Sequence, residues 1–140
     1  MRALARQKLI ARSGTTLIAM LVAAGEFPIA IVSSGHLAES LIDKKAPVEW
    51  VRNDPMFTTH TWIALSSHAT SPNSAKLFID FVLAKEGQEV LRGLHRIPAR
   101  SDVEPDPPRL TRGVKLFPYN PEWSDDYERY EKKFREIFSS

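Results

Sequence analysis

Apolar positions recur in this chain with two different periods, and the switches between them divide it into elements. Leu17, Ile18, Leu21 and Val22 repeat at helical spacing and predict a helix with one apolar face. Ser13 is its expected N-cap, and Gly25 stands where a C′ residue belongs. Pro28 then opens Ile29-Ala30-Ile31-Val32, a short β-branched run that reads as a strand buried on both faces. Ser33-Ser34-Gly35-His36 breaks it. Leu37, Leu41 and Ile42 mark a second short helix, stopped by Lys44, Lys45 and Pro47. Val48 to Val51 alternates and reads as another strand.

Beyond the turn signal Asn53-Asp54-Pro55, Phe57 to Leu65 is rich in β-branched and aromatic residues and reads as one long strand. Ser71 with Pro72 behind it is a favoured helix start. Ala75, Leu77, Phe78, Phe81 and Val82 form the expected buried stripe of that helix, and a second helix begins at Glu86-Gly87-Gln88. From Ile97 to Pro121, six prolines predict an extended connector over a surface. Ser124 or Asp125 is the expected cap of a final amphipathic helix carrying Tyr127, Tyr130, Phe134, Ile137 and Phe138. Helices alternating with strands define the fold class as α/β.

Composition changes this picture little. The 140 residues are 43% hydrophobic with a net charge of +2, which gives no ground for a nucleic-acid or membrane partner. No cysteine is present, so neither disulfide nor thiolate chemistry applies. Arg2, Arg6, Lys8 and Arg12 ahead of the apolar Thr15–Gly25 stretch have the order of a secretory signal. Because the basic part is long and amphipathic, two ordinary helical segments are the preferred reading. The apolar part is also shorter than the about 20 residues a spanning helix needs.

Candidate binding residues cluster at junctions. Ser13, Thr15 and Thr16 begin a helix, either as ordinary capping residues or as an anion site made from free N–H groups. Ser33, Ser34 and His36 lie past the C-terminal end of a predicted strand, the usual ligand side of an α/β sheet, or else form a plain polar turn. Thr59, with Thr58 and His60, lies on the predicted long strand, where alternation alone favours a structural role. His68 reads as solvated, and His95 as a cation at a helix end. The four histidines lack metal-ligand spacing, and Trp50, Trp62 and Trp123 read as packing residues. No catalytic constellation emerges, so the chain is expected not to be an enzyme, with no cofactor and no metal.

Three stretches together carry a resemblance: LIAMLVAAGEFPIAI, APVEWVRNDP with the strand after it, and SPNSAKLFIDFVLAKEGQEVL followed by RIPAR. In order and spacing they resemble the C-terminal part of the solute-binding proteins of bacterial ABC importers, in the type II, iron(III)-transport-like group. The likeness runs from about Arg6 to Phe138. It implies a type II periplasmic-binding-protein fold of two α/β lobes around a cleft. Residues 1–53 would be the later part of the second lobe, 54–97 the crossing strand and return to the first lobe, and 98–140 a connector and terminal helix wrapping the outside. The sheets would then be incomplete, and Met1 would be an internal methionine of a longer protein.

In iron-binding members two adjacent tyrosines lie near the junction that here holds Ser33 and Ser34. Tyr119, Tyr127 and Tyr130 all fall in the tail, so an organic or oxyanion solute is expected instead of iron. The resemblance further implies a non-catalytic, periplasmic substrate-binding component that serves an ABC permease. Unpaired sheet edges predict a homo-oligomer or domain-swapped dimer. The alternative is a structural or interaction fragment that forms such an oligomer without a ligand. A nucleic-acid binder using Arg2, Arg6, Lys8 and Arg12 is disfavoured by the scattered acidic residues.

Overall fold

A computed structural model describes residues 1–7 and 9–138. Lys8, one of the four basic residues near the start, lies outside them. The described chain is 47% helical with two parallel strands, a mixed α/β composition. In order, the elements are α1 (Arg2–Ala5), α2 (Thr15–Ala23), α3 (Gly35–Asp43), β1 (Met56–Thr58), α4 (Pro72–Leu83), α5 (Lys85–Gly93), β2 (Leu116–Pro118) and α6 (Tyr127–Phe138). Short 3₁₀ turns cover Pro108–Leu110 and Pro121–Asp126 within and after the proline-rich segment.

Helices pack as neighbours in sequence or across the chain ends: α2 on α3, α4 on α5, and α1 on α6. Three helices end in the same way. The chain turns left-handed at the residue past the cap, and the amides of that residue and the next bond back to the last helical turn. Gly25 does this after α2 at φ 77°, with Gly25 N on Val22 O and Glu26 N on Leu21 O. Lys45 does it after α3 at φ 63°, and His95 after α5 at φ 57°. Gly25 therefore has the terminating role its position predicted. The helix start at Ser71, with Pro72 in the first turn, is as expected, and other starts differ. Gly14, not Ser13, is the N-cap of α2. Ser71 caps α4 through its backbone alone. Asn120, not Ser124 or Asp125, supplies the side-chain cap, to Glu122 N at the start of the turn leading into α6.

The α4–α5 corner is the tightest joint. A Cβ on Gly87 would stand 2.1 Å from Phe81 O and 2.8 Å from Val82 Cα, so only glycine lets α5 start against the end of α4. The adjacent Gln88, 2% exposed, donates from Nε2 to Val82 O at 2.7 Å. Its Oε1 accepts from Ala99 N at 2.6 Å, which fastens the segment after α5 onto the corner.

The strands are where expectation and structure part. Ile29–Val32 and Val48–Val51 form no ladder, and of the long run Phe57–Leu65 only its first two residues pair. Met56, Phe57 and Thr58 align in parallel with Leu116, Phe117 and Pro118. A strand exists only through a neighbour, and the other runs have none among the described residues. Ile29 is consequently 75% exposed, and Phe57, although paired, is 74% exposed. The stripe on α4 is likewise uncovered: Leu77, Phe78 and Phe81 face solvent. The buried apolar residues among those described are Ala19, Val103 and Leu110, and none is sealed completely.

The accessible surface is correspondingly large. It measures 11,303 Å², against about 7,300 Å² expected of a compact monomer of this mass.

Candidate functional site

The best-built polar site is organised by one face of α3. His36, Glu39 and Asp43 are spaced i, i+3, i+7, which sets them in a row along the helix. Glu39 and Asp43 each meet a partner from a distant part of the chain.

Glu39 sits at the centre and is 3% exposed. Its carboxylate accepts from Arg109 Nε at 2.7 Å and Nη2 at 2.9 Å, a bidentate pair, and from Trp50 Nε1 at 2.6 Å. The same guanidinium donates to Glu49 Oε2 at 3.2 Å and lies 5.5 Å from the Trp50 ring centroid. The hydrogen bond to Glu39 is the main cause that holds the Arg109 pKa above its ordinary value, with Glu49 adding to it. Glu49 in turn is held below the usual carboxylate range, first by the amide of Trp50 and then by Arg109. Each carboxylate oxygen of Glu39 and Glu49 accepts from at least one protein donor. Its chemistry is to hold α3, the segment before β1 and the 3₁₀ turn at Leu110 together.

At the far end of the row, His95 Nε2 lies 2.9 Å from Asp43 Oδ2, and its Nδ1 lies 3.0 Å from the Asp106 carbonyl. Both partners are acceptors, so both ring nitrogens donate and the geometry suits the imidazolium. The His95 pKa is raised, first by the Asp106 carbonyl and then by Asp43, against the opposing effect of burial. At the near end, His36 is half-buried, and its pKa is lowered by burial and then by the positive charges of Arg96 and His95. His36 near the start of α3 thus lies in the field of Arg96 and His95, an electropositive corner that Asp43 reduces by pairing with His95 at the far end of the helix. Leu110 covers that start closely enough that a Cβ on Gly35 would meet its Cδ2 at 3.3 Å.

The sequence-predicted residues are divided by the structure. Ser34 is the N-cap of α3 without a side-chain cap bond, Ser33 is exposed beside it, and His36 joins the electropositive corner. Ser13, Thr15 and Thr16 are exposed at the start of α2, and Thr59 is exposed just past β1. His68 is also exposed, 2.9 Å from the Ser67 hydroxyl. Glu39, Arg109 and Gln88 were not singled out from the sequence. The i, i+3, i+7 row was a signal for Glu39; nothing local marked Arg109, seventy positions away.

Among the described residues no group of three or more His, Asp or Glu side chains is placed to hold a metal ion. No described helix is long and apolar enough to cross a membrane. A cavity of 590 Å³ lies elsewhere, between α1 and α6. Comparison with known proteins finds no matching family, no matching curated protein and no matching solved structure.

Proposed function

We propose that this chain is the C-terminal portion of a type II periplasmic-binding-protein fold, a non-catalytic part of the solute-capturing component of an ABC importer. In this reading the whole protein closes two lobes on a small organic or oxyanion solute in the periplasm and presents it to a permease. Closure works because contacts from both lobes exist together only when shut. The electropositive corner at His36, beside a start of α3 whose N-cap Ser34 makes no side-chain cap bond, is the part of the solute contact this chain would contribute, with Ser33 and Ser34 at its rim.

The observation that carries this reading is the uncovered parallel pair β1–β2 with its exposed apolar neighbours. Parallel strands are ordinarily covered by helices on both faces, and two strands alone are marginal in water. Here Phe57 stands in solvent, and the apolar runs at 29–32 and 59–65 have the composition of strands without neighbours. These features support the reading of an α/β body that further strands would complete. Within the third stretch that carries the resemblance, Gln88 of the EGQ sequence accepts from Ala99 N of RIPAR.

Translation of the coding DNA upstream of Met1 tests the proposal. An in-frame extension encoding a secretory signal and an α/β half-lobe is expected, and a stop codon immediately ahead of Met1 overturns it. The solute contact is tested by thermal shift with sulfate, phosphate and small carboxylates. A rise in Tm that the His36→Asn, Arg96→Gln variant loses is expected; no shift with any of them contradicts the assignment of the corner. A second reading, an interaction module that self-associates without a ligand, is favoured by the same exposed apolar face of α4. Self-association without any thermal response to anions would select it.

A further inference from the structure

The groove between α1 and α6 carries a charge arrangement that folding alone does not explain. Arg129, Lys132, Lys133 and Glu136 follow one another at i, i+3, i+4 and i+7, so they share one face of α6. That face meets Arg2 and Arg6 from the opposite end of the chain around a cavity of 590 Å³. Ala5 and Ile137 complete its wall. Arg129 is partly engaged by Asp126, 2.7 Å away. Five cationic side chains thus converge with one carboxylate among the lining residues. Like charges repel, and a concave wall with an excess of one sign concentrates the opposite ion.

We propose that this groove is a binding site for a compact polyanion bearing several phosphate groups. The cavity is within the roughly 300–1,000 Å³ typical of small-molecule sites. Three arginines supply planar donor forks that match phosphate oxygens, and the two lysines add point charge. Cations stand on both walls, which suits a compact anion held between them better than an extended strand laid along one helix. The site is separate from the α3 corner and does not depend on the solute-binding proposal.

The test is calorimetric titration of the full chain with sodium triphosphate at about 100 mM salt, where charges further apart than about 10 Å are screened. One saturable equivalent is expected. Arg2→Gln with Arg6→Gln on one wall, and Lys132→Gln with Lys133→Gln on the other, are each expected to weaken binding about tenfold or more. Glu136→Gln, which removes the groove's carboxylate, is expected to tighten it about two- to fivefold; a gain of this kind cannot come from misfolding. Lys76→Gln with Lys85→Gln, equal in charge change but placed on α4 and α5, should leave it unaltered. Absent saturation, equal losses in all double variants, or no gain from Glu136→Gln would overturn the proposal. An oligonucleotide whose affinity grows with length and exceeds that of triphosphate would overturn it in favour of nucleic acid.

Discussion

Glu39 shows how one residue can decide the arrangement of several segments. A carboxylate 3% exposed is tolerable only because three donors converge on it. Glu39→Gln keeps the volume but strands the Arg109 charge with the exposed Glu49 alone. Because Arg109 keeps a third of its surface in water, the expected loss is about 2–3 kcal/mol, below the full cost of a broken buried pair. Urea denaturation measures it. Replacing both partners, Glu39→Leu with Arg109→Met, should recover most of that loss.

The histidines respond to pH in opposite senses. The folded pKa of His95 is raised, so its stabilisation is fully present below the unfolded value near 6.5 and fades as pH rises through the folded pKa. The folded pKa of His36 is lowered, so it destabilises the fold as pH falls below about 6.5. His95→Gln should therefore cost about 1 kcal/mol at pH 6, a modest figure because Asp43 is 66% exposed. The deficit should shrink as pH rises past the folded pKa of His95. His36→Asn should instead flatten the acid side of the profile. An unchanged pH–stability curve in both variants would contradict these assignments. Composition and spacing made His36 readable in advance as a junction residue. The partners of Glu39 were not readable, because seventy residues separate Glu39 from Arg109.

At the level of elements, helices were legible and strands were not. Helix boundaries depend on local signals such as Pro72 and Gly25, and those signals predicted α2 to α5 to within a few residues. Cap chemistry was read less well: Gly14 is the N-cap where Ser13 was expected, and the side-chain cap near α6 is made by Asn120 on the preceding 3₁₀ turn. Strand formation depends on a neighbour that no local pattern supplies. Ile29–Val32 has the composition of a buried strand and lies exposed.

The α4–α5 corner gives an element-scale test. Gly87→Ala would drive a methyl group into Phe81 O at 2.1 Å, so a loss of more than about 3 kcal/mol is expected by thermal or chemical unfolding. The face of α4 gives another. Leu110 is 3% exposed and Phe78 is 60% exposed. Leu110→Ala should cost about 3 kcal/mol in unfolding at low concentration. Phe78→Ala should cost no more than about 0.5 kcal/mol there, and should instead weaken association of chains at higher concentration. A large intrinsic loss at Phe78 would mean that this face is already covered.

The whole molecule leaves about 4,000 Å² more surface in water than a compact monomer of its mass would. That excess is of the size buried in large, obligate interfaces of about 2,000–5,000 Å². Much of it is apolar, in Ile29, Phe57, Trp62, Leu77 and Phe78. Such a surface does not stay exposed in water. In the proposed parent protein further strands would cover it; in the isolated chain a second copy is predicted to.

Light scattering coupled to small-angle X-ray scattering on the purified chain tests this most directly. A particle whose mass is a multiple of 15.8 kDa is predicted. A stable 15.8 kDa monomer with the radius of gyration of a closed globule of this length, about 14 Å, would contradict it.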